Sequence, residues 1–156
     1  MNKLNLNISI QLLGVFGVIG SLIFVGLELQ QSQRIALSTQ QQARSALTVD
    51  IITNFNTIGA DFQSIYWEQN LDYDLPENEI ALRNVMHSAW SLYENDYYQF
   101  TQGLMDDVTW SAKKKGIQKI YNHCKARVIF HSRKSVFSRE FKAVIESFED
   151  KCGQKV

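Results

Sequence analysis

The sequence is poor in the residues that make turns. It has one proline, Pro76, and eight glycines among 156 residues. A fold of many short strands needs turn residues at short intervals, so this scarcity disfavours a β-sandwich or a barrel. Apolar residues make up 45% of the chain and charged residues 21%, which is typical of a folded protein. The composition therefore predicts an all-α protein built from a few long helices.

Cysteine is also scarce, since Cys124 and Cys152 are the only two. They form no Cys-x-x-Cys pair and indicate no disulfide framework, which favours a reducing compartment. Together with His123 and His131 they could bind zinc, but their spacing matches no zinc finger. We expect Cys124 to face the core as a free thiol and both histidines to lie at the surface. The sequence predicts no metal site and no cofactor.

Charge is absent from the stretch 8-ISIQLLGVFGVIGSLIFVGL-27, in which thirteen of twenty residues are Leu, Ile, Val or Phe. A helix of this length spans about 30 Å, the hydrocarbon thickness of a bilayer. The glycine spacing Gly14-x-x-Gly17-x-x-Gly20, with no Lys-Ser/Thr after it, excludes the usual phosphate loops. The stretch is longer than the apolar part of an export signal, and no small-x-small cleavage site follows. It therefore predicts a transmembrane helix.

Small residues form a stripe on this predicted helix. At about 100° per residue, Gly14, Gly17 and Ser21 fall within about 60° of one another. In lipid, such a stripe lets a second helix approach closely, and Gly17-x-x-x-Ser21 is a small-xxx-small pair. The stripe predicts a homo-oligomer associating through this face within the bilayer. Glycine is also common in membrane helices generally, and this simpler explanation stays open.

Helical periodicity continues past the predicted span. Residues 30–62 contain no proline, and their apolar residues recur mostly in steps of three or four, as on the buried face of an amphipathic helix. We expect this stripe to pack inward. Its members are Ala36, Ala43, Leu47, Ile51, Phe55, Ile58 and Phe62.

Breaks in the pattern divide the rest of the chain. Pro76 and the acidic residues after it predict the start of a helix that ends near Gly103. Asp106 or Asp107 should start the next helix, and Ser135 or Ser138 should cap the last. The residues expected inward on the helix after Pro76 are Leu82, Val85, Met86, Ala89, Leu92 and Tyr93. The predicted organisation is a tail (1–7), a transmembrane helix (8–29), a soluble bundle of about four helices (30–150) and a C-terminal tail (151–156).

The charges are segregated along the chain. Residues 61–107 hold ten acidic residues against the single base Arg83, and residues 111–142 hold ten basic residues against the single acid Glu140. Two parts of one domain can complement each other in this way, which is the interpretation we favour. Alternatively, the basic region 113–142 faces an anionic lipid surface or a nucleic acid.

The positive residues beside the span indicate its orientation. Lys3 lies before it, whereas Arg34 and Arg44 lie after it. Because positive residues tend to stay in the cytoplasm, this bias predicts a cytoplasmic C-terminal domain. The expectation of free cysteines agrees with that orientation.

Two Arg/His pairs are the candidates for chemistry. Arg83-x-x-x-His87 and Arg127-x-x-x-His131 each place both side chains on one helix face. HEPN-type ribonucleases use an Arg-x4–6-His motif in helical domains, with the two residues acting on the 2′-hydroxyl and the phosphate charge. Both spacings here are one residue short of that motif, and such pairs arise readily by chance. We therefore assign no catalytic residue and favour a protein that is not an enzyme.

Three segments resemble, in order, parts of an uncharacterised family of small bacterial membrane proteins. They are 21-SLIFVGLELQQS-32, 93-YENDYYQFTQGLMDDVTW-110 and 138-SREFKAVIESF-148. The resemblance implies a single N-terminal span in the bacterial inner membrane, followed by a helical domain, and it implies no reaction. The layout is also similar to that of membrane-anchored HEPN-like accessory proteins from CRISPR loci, some of which assemble into pores.

The leading hypothesis from the sequence is a membrane-anchored interaction or scaffold protein that self-associates. The alternatives are a membrane-tethered HEPN-like ribonuclease and an oligomeric pore.

Overall fold

The computed structural model describes residues 3–153, and their side chains from residue 8 onward. Its helices are α1 (Lys3–Thr57), α2 (Glu77–Thr101), α3 (Asp107–Tyr121), α4 (Arg127–Arg133) and α5 (Arg139–Glu146). A π-helical turn (Gln63–Trp67) and a 3-10 turn (Cys124–Ala126) lie between them. No strand occurs within the described range, so the predicted all-α class is confirmed. Residues 1–2 and 154–156 of the predicted tails lie outside the described residues.

The chain divides into two compact units, Met1–Leu37 and Ser38–Val156. The first unit consists of the apolar part of α1, whose best window has a mean hydropathy of 2.3 and is not buried. Leu13 is 78% exposed and Phe16 is 69% exposed. Ser21 Oγ donates to the Gly17 carbonyl at 2.8 Å, so the hydroxyl is satisfied within its own helix. This unit is long and apolar enough to cross a membrane.

Glycines end the two longest helices by the same mechanism. Gly59 and Gly103 have φ of +69° and +71°, the left-handed conformation that glycine adopts without steric cost. After α2, the Gly103 N–H donates to Phe100 O and the Leu104 N–H donates to Gln99 O. This pair of bonds is a Schellman motif, which satisfies carbonyls that the helix leaves unpaired. The predicted helix end near Gly103 is confirmed.

Helices α2, α3 and α5 begin at capping residues that the sequence predicts, whereas α4 begins without a side-chain cap. Asp106 accepts from the Thr109 backbone N–H at 2.8 Å at the start of α3. Ser138 accepts from the Phe141 N–H at 3.2 Å at the start of α5. Pro76 is the N-cap of α2, and the acidic first turn of that helix follows it. Each cap pairs or removes a donor that the first turn would otherwise expose.

The hydrophobic core of the second unit lies where α2, α3, α4 and α5 meet. Helix α2 packs against α3 and α4, and α3 packs against α5. Trp90 is 1% exposed, and its ring lies 5.5 Å from Phe130 and 5.7 Å from Phe137. The other buried members are Trp110, Ile117, Tyr121, Ala126, Ile129, Phe141 and Ile145. Aromatic rings supply much of the apolar area of this core.

The predicted inward stripe of α1 is wrong for most of its members, although Phe62 is buried and Phe55 is partly buried. Leu47 and Ile51 are 63% and 52% exposed, and Ile58 is 76% exposed beyond the helix end. The side of α1 that faces α2 combines the fully buried Ile52 with polar contacts, in which Ser45 Oγ donates to Ser91 O and Gln99 Nε2 donates to Ser38 O. The stripe was also extended across Gly59, where the left-handed backbone ends the helical register.

The predicted face of α2 needs a similar correction. Val85 and Leu92 were expected inward, yet they are 54% and 49% exposed. The buried face of this helix carries Trp90 together with the polar residues Arg83, Asn84, His87, Ser91, Asn95 and Asp96. Met86 and Tyr93, which the sequence also predicts to face inward, do pack against the core. The prediction is therefore wrong only for part of the face, where polar side chains with internal partners are buried instead.

Candidate functional site

A buried polar network joins α2 to the π-helical turn. Asp61, Gln63, Asn84 and His87 are each 0% exposed. Burying polar groups costs free energy unless they find partners, so their hydrogen bonds determine how this region is built.

Asn84 ties the end of α1 to the start of this turn. Its Oδ1 accepts from the Phe62 backbone N–H at 2.9 Å. Its Nδ2 donates to Asn56 Oδ1 at 2.9 Å and to the Ala60 carbonyl at 2.8 Å. One amide thus bonds to three groups, one in the last turn of α1 and two on the segment between α1 and α2, which positions Gln63 beside α2.

Gln63 determines which nitrogen of His87 carries the proton. His87 Nε2 lies 2.8 Å from Gln63 Oε1. Gln63 Nε2 donates to Ser132 Oγ at 2.7 Å and to Glu68 Oε1 at 3.0 Å, which assigns the amide orientation. Because the amide oxygen can only accept, His87 Nε2 is the donor and the ring is the Nε2–H tautomer.

His87 is held neutral. Burial, and then the charges of Arg133 and Arg83, lower its pKa from 6.5 to about 3. The Trp67 ring stacks on the imidazole at 6.2 Å and the Phe62 ring meets it edge-on at 4.9 Å. Its Nδ1 is buried and has no hydrogen-bond partner among the described residues. A ring in this state can accept a hydrogen bond but cannot supply a proton at neutral pH.

Arg83 is neutralised by two carboxylates. Its Nη2 lies 3.2 Å from Asp61 Oδ2 and 3.2 Å from Glu68 Oε1. Asp61 Oδ2 also accepts from the Ser64 backbone N–H at 2.8 Å. The first Arg/His pair is therefore an arginine held in ion pairs beside a neutral histidine, and both side chains brace the π-helical turn.

The second Arg/His pair has different partners. Arg127 Nη1 and Nη2 donate to the two carboxylate oxygens of Asp150, each at 2.9 Å, and its guanidinium lies 3.8 Å over the Tyr121 ring. His131 is exposed, and its pKa is lowered by partial burial and then by the charges of Lys134 and Arg127. The contacts of the two pairs lead to separate networks. The ribonuclease hypothesis stays a prediction.

The cysteines correct the expectation of free thiols. Cys124 and Cys152 form a disulfide, with Cα atoms 5.3 Å apart. Cys124 is exposed and does not face the core, because α3 ends at Tyr121 and the helical register does not reach it. Among residues 3–153, no group of three or more His, Cys, Asp or Glu side chains is placed to hold a metal ion.

Part of the charge segregation is used within the domain. Lys113 Nζ lies 3.0 Å from Asp96 Oδ2, and Arg133 Nη2 lies 3.7 Å from Glu94 Oε2. These pairs join the basic region to the acidic helix α2, as charge complementation predicts. Other basic residues of the region are exposed, namely Lys115, Lys119, Lys125, Lys134 and Arg139. Binding of an anionic lipid surface or a nucleic acid there stays a prediction.

An open cavity of about 290 Å³ lies beside Glu94. Burial raises the pKa of Glu94, and Arg133 acts in the opposite direction. The lining residues are Gln41, Glu94, Tyr97, Tyr98, Thr101, Ser138 and Glu140. The two carboxylates that line the cavity, Glu94 and Glu140, form ion pairs with Arg133 and Arg139.

The polar network itself was missed by the sequence reasoning. Arg83, Asn84, His87 and Ser91 recur in steps of one, three and four residues, which is a helical stripe of polar side chains. That spacing was available as a signal, but an exposed polar face has the same pattern. No family model, no curated protein and no solved structure matches this chain.

Proposed function

We propose that this chain is a single-pass membrane protein whose helical domain acts by interaction and which self-associates along α1. The observation that carries the proposal is the apolar stripe of α1 within the second unit. Leu47 and Ile51 are large apolar side chains that the described domain leaves exposed. The proposal assigns no reaction.

The stripe lies on the side of α1 away from α2. Ser45 and Asn56 face α2, because each is linked to it by a hydrogen bond. At about 100° per residue, Leu47 lies roughly 160° around the helix from Ser45, and Ile51 roughly 120°. An amphipathic helix normally covers its apolar face, and a second copy presenting the same stripe would cover it in a symmetric pair.

The expected gain favours association once copies share a membrane. Fully covering one Leu or Ile side chain stabilises by about 1.5–3 kcal/mol. A membrane anchor confines the copies to one surface and raises their effective concentration. A small apolar area is therefore enough for association. Orientation by a common anchor also reduces the rotational freedom lost on association.

The anchor supports the same arrangement. An added Cβ would meet no described atom within 4 Å at Gly14 or Gly17, nor at Gly20 or Gly26, so what distinguishes the proposed face is the stripe of small residues formed by Gly14, Gly17 and Ser21. Ser21 is satisfied by the Gly17 carbonyl and brings no unpaired donor to such a contact. Small open surfaces of this kind allow close helix packing in lipid.

Crosslinking of the full chain in native membranes tests the proposal. We expect multimers that weaken when Leu47→Glu places a charge in the stripe, and that weaken when Gly17→Leu blocks close helix approach. Gln42→Glu and Gly26→Leu are matched controls, because both residues are exposed on other faces of α1. Self-association along α1 would be refuted if the chain is monomeric in membranes. It would also be refuted if the multimers persist in both Leu47→Glu and Gly17→Leu.

A further inference from the structure

We propose that the domain carrying Cys124 and Cys152 faces the oxidising side of the membrane, opposite to the orientation that the positive residues predict. The inference rests on the proposed membrane anchor. Its basis is a disulfide that the fold assembles on its own surface.

Contacts that do not involve sulfur hold the two cysteines together. Asn122 Oδ1 accepts from the Lys151 backbone N–H at 2.8 Å, and Asn122 Nδ2 donates to the Glu149 carbonyl at 3.1 Å. Asp150, held by both terminal nitrogens of Arg127, accepts from the Cys152 backbone N–H at 2.8 Å. The segment after α5 is thereby fastened beside the end of α3. The Cα separation of 5.3 Å is within the range of disulfides.

The bond is open to solvent. Cys124 is exposed and Cys152 is partly exposed. An accessible disulfide in the cytosol meets glutathione and thioredoxin, which keep protein thiols reduced. In the periplasm or outside the cell, the same pair stays oxidised. A surface disulfide held by its own clamp therefore indicates the oxidising compartment.

The positive residues on either side of the apolar stretch favour the opposite orientation only weakly. Near the apolar stretch, Lys3 lies on one side and Arg34 and Arg44 lie on the other, a difference of one positive residue. Orientation follows an excess of such residues within about 15–20 residues of the ends of the span, and with Arg34 and Arg44 both counted the excess is a single cation. The disulfide is the stronger indication of orientation, because it is stable only in an oxidising compartment. An excess of one cation biases the orientation only slightly.

Thiol trapping and protease access in intact cells test the inference. The full chain is expressed in a bacterial host, and the cells are quenched in acid so that thiols and disulfides no longer exchange. The proteins are then treated with a maleimide-polyethylene glycol, which adds mass to each free thiol. We expect no added mass in the wild type, two additions after reduction, and one addition in Cys124→Ser without reduction. External protease on spheroplasts should digest the domain.

A domain protected from external protease until the membrane is permeabilised would overturn the inference, whatever the state of its thiols. So would two free thiols trapped in unbroken cells. Carbonate washing of the membranes reports separately on the anchor. A chain released by the wash refutes the anchor and this orientation together, whereas a retained chain with a protected domain refutes the orientation alone.

Discussion

Acidification from pH 7.5 to pH 5 should destabilise the helical domain through His87. The pKa of this side chain is lowered from 6.5 to about 3 by burial and by the charges of Arg133 and Arg83. In the unfolded chain the imidazole binds a proton near pH 6.5, whereas in the folded chain it stays neutral until about pH 3. Between these values the unfolded state binds more protons, so stability falls as the pH falls.

The size of the effect follows from the two pKa values. Protonation of the unfolded chain alone, from pH 7.5 to pH 5, changes the free energy of unfolding by about 2 kcal/mol. Continued to pH 3, the loss approaches about 4–5 kcal/mol. Asp106, Asp150 and Glu140, whose pKa values hydrogen bonds lower, add their losses only below about pH 5. Burial raises the pKa of Glu94, which acts in the opposite direction.

Denaturant unfolding of the full chain in detergent, followed by tryptophan fluorescence, measures this slope. Trp67 stacks on the His87 ring, so one reporter lies at the site itself. His87→Gln keeps a donor for Gln63 Oε1 but cannot titrate, and we expect it to lose most of the slope between pH 7.5 and pH 5. His131→Gln is the control, since His131 is exposed and should contribute little. Equal slopes in the wild type and His87→Gln would refute the assignment of a buried neutral His87.

Two further predictions concern stability. Reducing the Cys124–Cys152 disulfide, which joins residues 28 apart, should lower the free energy of unfolding by roughly 3–4 kcal/mol in the chain-entropy model. Chemical denaturation with and without reductant measures this change. In Cys124→Ser, reductant should have no effect on the free energy of unfolding. Gly116→Ala should destabilise by about 1–2 kcal/mol, because the strain from a Cβ that would overlap the Tyr93 hydroxyl and lie 2.9 Å from its Cζ exceeds the roughly 1 kcal/mol that alanine gains over glycine inside a helix. Thermal melting tests it against Lys115→Ala on the same helix, and equal melting temperatures would contradict the proposed clash.

Local features account for the predictions that were confirmed. Gly103, Asp106 and Ser138 end or begin helices by bonds to residues within a few positions, so their roles can be predicted from neighbouring sequence alone. The apolar stretch is similar, since its length and composition are properties of one segment. None of these features depends on what another part of the chain does.

The wrong predictions concern choices between partners far apart in sequence. Leu47 and Val85 have helical spacing, but periodicity shows only that a face is apolar and not whether this chain covers it. Cys124 lies beside Cys152 because Asn122 and Arg127 form hydrogen bonds to the segment after α5. The spacing of the two cysteines in the sequence does not predict these contacts.

By itself, the sequence determined the helical class, the helix ends near its capping residues and the presence of one segment apolar enough for lipid, since each follows from short-range backbone and solvation preferences. Only the tertiary structure decided which helix faces are buried, that His87 is enclosed as a neutral ring and that the two cysteines pair. Those outcomes depend on long-range contacts, in which a polar group is buried when another segment supplies its partner and an apolar one stays exposed when none does.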